Sequence, residues 1–282
     1  MNTAHPIRQL AKQYPQLCLP IAPHERETDE YKDCVLRGEP VQRKPAFRFS
    51  KEDELSCVST PAGEVNVLIL TDREDFVHAY RALACRCEPE PVPDSVGAAT
   101  VQGLINWEKI RRHQEEYLAA GGDDWDDEFR RFTSVKSNYR DTIILLSSGN
   151  YSDIPAAWVG MDEQEWKEKS LTIRKYHELT HYICRTRYPD DIVAIRDEVI
   201  ADMIGLIKAF GDYDTRLART FLGIEGETFR PGGRLEYYAG DDLSAAIRQA
   251  NEDIDKYAGM IKDRDKTDVF ALLLSLFENT AV

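Results

Sequence analysis

The sequence predicts an α+β fold, on two observations. Its strand-like apolar runs, "EVNVLILTD" (64–72) and "DTIILLSS" (141–148), both lie in the first half of the chain, and from about residue 163 the pattern is helical almost to the end. Residues 1–60 mix proline, charge and short apolar pieces without a period, and read as an irregular segment packed on the body. "EVNVLIL" is rich in Val, Leu and Ile, as a buried strand requires, and Thr71-x-x-Glu74 supplies a capping-box pattern for a helix over roughly 72–84. The prolines of "EPEPVPD" (88–94) demand a loop. "SVGAATVQGLINWEKIRRHQEEYLAAGG" reads as a small-residue turn feeding a helix that ends at Gly121-Gly122. "DDWDDEFRRF" is a short acidic helix, and "GNYSDIPAAWVG" (149–160) an extended or looped continuation of the second strand.

In the second half, one helix carries "RKYHELTHYICRTRYP" and stops near Tyr188-Pro189. A second takes Asp190-Asp191 as its cap and runs to Phe210-Gly211. "RPGGRLEYYAG" (230–240) is a glycine-punctuated loop, followed by helices at about 241–262 and 267–279. The expected organisation is an irregular segment over 1–60, an α/β subdomain over 61–162 and a helical subdomain over 163–282.

Bulk composition excludes several roles. With 282 residues, 42% hydrophobic and 30% charged, the chain can bury a sizeable core. A formal charge of −14 disfavours a nucleic-acid partner, which needs a basic surface to displace phosphate counterions. The N-terminal stretch has no unbroken apolar run, and the longest apolar run, "VFALLLSLF" (269–277), is about half a membrane span. A cytoplasmic protein without membrane partners is therefore expected. Its six cysteines, at 18, 34, 57, 85, 87 and 184, read as reduced thiols, with neither a disulfide framework nor paired zinc knuckles. His78 and His113 read as surface residues.

The chemistry is concentrated in "HELTH". His177 and His181 lie one helical turn apart and project from one face, so both imidazoles can reach a single ion. Glu178, beside the first, can reach a water on that ion. A third ligand must come from the next helix. From His181 the first helix continues for six residues, about 9 Å, and from Asp191 the second returns over seven, about 10 Å, to Glu198. An antiparallel return thus brings Glu198 level with His181. Asp202 and Gly205 share that face. Asp202 can accept a hydrogen bond from the far nitrogen of a ligating imidazole, and Gly205 permits close helix approach.

"HELTH" followed by "DEVIADMIG" resembles the zinc site of the gluzincin metallopeptidases, the thermolysin-like branch of the zincins. The resemblance covers about thirty residues. It implies a zincin-like fold with the active-site helix pair in the helical subdomain, zinc held by His177, His181 and Glu198, Glu178 as general base, and Asp202 behind a ligand histidine. Asp197 stands where that family usually has Asn, and Ala201 where it often has Ser. The family also uses a downstream histidine to stabilise the tetrahedral intermediate, and none follows residue 181. That role falls to Arg234, Tyr237 or Tyr238 of "GGRLEYY", while "SSGNYSDIP" would offer a sheet edge to an extended peptide. The expected function is zinc-dependent hydrolysis of a peptide or protein substrate. The alternatives are a zinc amidase acting on a non-peptide substrate and a non-catalytic zincin-fold binding module; the retained Glu178 disfavours the latter.

Overall fold

In the computed structural model, which describes residues 5–94, 96–191, 193–226 and 228–278, the chain divides into two compact units. The first comprises residues 1–57, 65–92 and 99–147, the second residues 58–64, 93–98 and 148–282. The class is α+β, as the sequence predicts.

A four-stranded sheet has the order β1-β2-β4-β3, with β1 Glu54–Thr60, β2 Gly63–Leu70, β3 Ala98–Ile105 and β4 Arg140–Ser147. The two apolar runs read as strands are its centre. β2 and β4 pair in parallel, Val67 opposite Ile144 and Leu68 opposite Leu145, and all four side chains are fully buried. Burial on both faces is why these segments are continuously apolar rather than alternating. β1 and β3 are the edges. In β1 no residue is fully buried, and β3 carries Gly103 at a positive φ of 76°.

Those edges correct two expectations. Residues 5–60 are irregular only in part: they contain α1 (Pro6–Gln13), α2 (Asp29–Tyr31) and β1, with no helix or strand over 37–53. Pro6 opens α1, where its missing N–H costs nothing, and Ile7 and Leu10 are buried from it. "AATVQGLI" is β3 rather than a turn. α3 (Arg73–Leu83) is capped by Asp72, not Thr71. Asp72 Oδ1 accepts from the amides of Glu74 and Asp75 at 2.9 and 3.1 Å. Thr71 is drawn to Asp53 through both its amide and its hydroxyl, at 2.9 and 3.0 Å. α4 (Trp107–Ala119), capped by Asn106, and α5 (Trp125–Ser134) complete the first unit. His78 and His113 are not plain surface residues: His78 packs edge-on against Phe47, and His113 stacks on Phe132 with its Nε2 2.6 Å from Glu128.

The second unit contains α6 (Ala156–Val159), α7 (Glu163–Arg187), α8 (Ala194–Phe210), α9 (Thr215–Leu222), a small antiparallel pair of β5 (Ile224–Glu225) and β6 (Thr228–Phe229), α10 (Leu243–Ile261) and α11 (Val269–Glu278). Asp162 caps α7, accepting from the amides of Gln164 and Glu165, each at 2.9 Å. Pro189 ends it. Asp190 and Asp191 do not cap α8: they belong to a 3₁₀ turn, Pro189–Asp191, and the helix starts at Ala194, with Val193 at its cap position. Trp166, Ile173, Ile183, Met203, Ile204, Phe221 and Leu273 form the core here. Among the described residues no helix is long and apolar enough to cross a membrane.

Gly205 sets the spacing of α7 and α8. A Cβ there would lie 2.8 Å from the carbonyl oxygen of Ile173 and 3.0 Å from its Cγ2. Backbone cannot yield as a flexible side chain can, so Gly205→Ala is expected to cost about 1–3 kcal/mol through overpacking. That loss exceeds the gain of about 0.5–1 kcal/mol from replacing a mid-helix glycine. A thermal melt checks it: an unchanged midpoint would mean that the helices are not held this closely.

Candidate metal centre

α8 is buried along most of its length, so acidic residues on it must find partners. Asp197, Glu198 and Asp202 are 7%, 5% and 0% exposed. Their partners are the two histidines of α7, themselves buried. His177, His181 and Glu198 each place a ligand atom within 4.8 Å of the others. The Nε2 atoms of the two imidazoles are 2.9 Å apart. His181 Nε2 is 3.2 Å from Glu198 Oε1, and His177 Nε2 is 3.5 Å from Glu198 Oε2. Ligands about 2.05 Å from a tetrahedral ion sit roughly 3.3 Å from one another. The set therefore has the dimensions of a metal site, and the level reached by counting residues around the Pro189 turn agrees with it.

The far nitrogens explain why the near ones converge. His177 Nδ1 lies 2.9 Å from Asp202 Oδ1, and His181 Nδ1 lies 2.7 Å from Asp197 Oδ2. A carboxylate can only accept, so each Nδ1 carries a proton and Nε2 is the nitrogen that each imidazole would offer to an ion at the shared point. The sequence marks Asp202 for this task. It does not mark Asp197, whose position next to a ligand on the same helix gives it no separate signal.

The electrostatics favour a cation. Burial works against a charged imidazole at His181, yet the hydrogen bonds and charges of Asp197 and Glu198 outweigh it and push its pKa up to about 10. Burial likewise opposes a charged Glu198, but His181, His177 and Arg234 hold its carboxyl well below the usual range. Glu198 Oε2 is buried and has no hydrogen-bond partner, an orphan that an ion would satisfy. Three buried carboxylates face the guanidinium of Arg234 and, 3.9 Å from Asp197, that of Arg185, so negative charge is left over for a cation once His181 gives up its extra proton. Two imidazole nitrogens and a carboxylate oxygen are donors that suit a divalent transition-metal ion. Cys184 is no competitor, being buried as a thiol with its pKa pushed up to about 12 by burial.

A cavity of about 250 Å³ opens on this point, and His177, Glu178 and Glu198 all line it. Three protein ligands would thus leave the remaining coordination position facing open space. Glu178 is half-buried there. The other predicted residues arrive on the 3₁₀ turn Arg234–Tyr237 and its C-terminal neighbour Tyr238, and all three line the cavity. Tyr237 is 63% exposed. Tyr238 is half-buried, and burial followed by the Glu198 carboxylate raises its phenol pKa. Arg234 turns its guanidinium onto Asp202 and donates to the Tyr151 hydroxyl at 2.7 Å.

"SSGNYSDIP" does not form the expected sheet edge. After Ser147 the chain leaves β4 and makes a 3₁₀ turn, Tyr151–Asp153, with Ser152 and Asp153 at positive φ of 51° and 55°. This turn lowers Tyr151 into the site, where its hydroxyl reaches Asp202 Oδ1 at 2.5 Å and His177 Nδ1 at 2.9 Å. No pattern in the sequence distinguishes Tyr151 from the other twelve tyrosines of the chain's thirteen.

The chain belongs to a family described as a family of unknown function (DUF7005), which matches it over residues 2–268. No curated protein and no solved structure matches it.

Proposed function

We propose that the protein is a zinc-dependent hydrolase of the zincin kind, a metallopeptidase that cleaves a peptide bond in a peptide or protein substrate. One observation carries the proposal: two imidazoles locked by carboxylates and a third ligand from α8 converge on a cavity that Glu178 also lines. A purely structural zinc site ordinarily closes with four protein ligands and has no use for an adjacent carboxylate.

Bound at His177, His181 and Glu198, zinc would supply a Lewis acid for the scissile carbonyl and acidify a coordinated water. The remaining steps fall to the chain's own side chains. Glu178 takes the proton from the attacking water and delivers it to the leaving nitrogen. Tyr238 keeps its phenol proton, because burial and Glu198 both disfavour the phenolate, and can donate a hydrogen bond to the oxygen that gains charge. Tyr237 stands at the exposed side of the cavity as a second donor or a substrate contact. Arg234 adds positive charge while anchored to Asp202. The cavity is small beside the roughly 300–1,000 Å³ common in ligand sites, which supports narrow specificity.

The test is direct. Purified protein should carry about one zinc per chain, and it should cleave members of a peptide library in a reaction stopped by a chelator and restored by zinc. Failure to retain zinc at micromolar concentration would remove the basis of the proposal. Zinc binding with cleavage only of non-peptide amides would move the substrate class but keep the chemistry.

A further inference from the structure

We infer that Tyr151 and Arg234 are positioning residues for the metal site: together they fix the protonation pattern and orientation of His177 from behind Asp202. This rests on the zinc reading above and deepens it.

The hydrogen bonds admit one arrangement of protons. Asp202 is 0% exposed. The Arg234 guanidinium and His177 Nδ1 both face its oxygens, so its carboxylate is the acceptor. The Arg234 guanidinium has only donors to offer. It gives one N–H to Asp202 Oδ2 and another to the Tyr151 hydroxyl at 2.7 Å. The single phenolic proton therefore goes to Asp202 Oδ1, 2.5 Å away. What Tyr151 turns toward His177 Nδ1, at 2.9 Å, is a lone pair. Nδ1 thus faces two oxygens, Asp202 Oδ1 and the phenol, and both accept from it. The tautomer with its proton on Nε2, which could not ligate an ion through that atom, is disfavoured twice over.

Arg234 also anchors Tyr151. Its Nη1 spans the phenol and, at 3.4 Å, the hydroxyl of Ser152. Its charge stabilises a carboxylate that would otherwise be buried beside Glu198 and Asp197. A lysine could supply charge here but not the two-pronged geometry.

The measurement is zinc affinity by chelator competition, together with the tautomer of His177 in long-range ¹H–¹⁵N spectra. Tyr151→Phe removes one oxygen and should weaken zinc roughly 10–100-fold, as loss of a partner behind a ligand does elsewhere. The His177 signals of the metal-free variant should shift from a single Nδ1–H form toward a mixture. Arg234→Lys should weaken zinc by a similar factor, whereas Ser152→Ala, at the long end of the same fork, should change it less than threefold. A Tyr151→Phe protein that folds, binds zinc as tightly as wild type and keeps the His177 tautomer would overturn this inference and leave the hydrolase reading intact. Should that variant fail to fold, wild-type affinity in Arg234→Lys has the same force. A wild-type chain that binds no zinc would overturn both.

Discussion

Glu178→Gln is expected to keep its zinc and lose about 10²–10⁴-fold in kcat/KM. That range corresponds to roughly 2.7–5.5 kcal/mol of transition-state stabilisation. The substitution is nearly isosteric and touches none of the three ligand atoms, so metal content and fold should be unchanged. A glutamine amide can hydrogen bond to water but cannot take its proton. The loss should therefore fall on kcat, with KM little altered, because the substrate's ground-state contacts persist. The variant is best measured beside His177→Ala, which should lose both metal and activity. Residual hydrolysis at the wild-type rate in Glu178→Gln would place the base elsewhere in the cavity.

How far the sequence reveals this site depends on what holds each residue in place. His177, Glu178, His181, Glu198, Asp202 and Gly205 all sit on two long helices joined by a proline-stopped turn, so helical periodicity and rise per residue suffice to place them. The late start of α8 does no harm, since the 3₁₀ turn still carries the chain back at the required height. Tyr151 and Arg234 lie on non-helical turns, and nothing periodic links positions 151, 202 and 234. Their meeting depends on Ser152 and Asp153 adopting left-handed backbone conformations without a glycine, which local sequence preference would not suggest. The fold divides in a similar way. β2 and β4 announce themselves because central strands are apolar throughout, whereas β1 and β3 are edges whose side chains are mixed. The Thr71 capping pattern misleads because Asp53, 18 residues upstream, competes for the same threonine.

The second large effect should be on stability, and it follows from the charges. In the metal-free protein Asp197, Glu198 and Asp202 share a nearly dry space with Arg234 and the histidines, with Arg185 3.9 Å from Asp197, and protonation of His181 relieves the excess that remains. A divalent ion would take the place of that proton and add direct bonds to both imidazoles and to Glu198. At a thousandfold excess over its dissociation constant, zinc should add about 4 kcal/mol to unfolding. At about 2–4 °C per kcal/mol for a chain of 150–250 residues, the melting midpoint should rise by roughly 10 °C, somewhat less for a longer one. His181→Ala should cost roughly 3–5 kcal/mol even without metal, because it strips the nearest cationic partner from two buried carboxylates. It should also abolish the response to zinc, and that combination separates it from ordinary core damage. A cavity-forming variant at a core residue outside the site, such as Leu273→Ala, lowers the midpoint but keeps the full zinc-induced rise. If wild type melted at the same temperature with chelator and with excess zinc, the carboxylates would be balanced by His181, Arg234 and Arg185, and the three-residue set would be a buried ion-pair network instead of a metal centre.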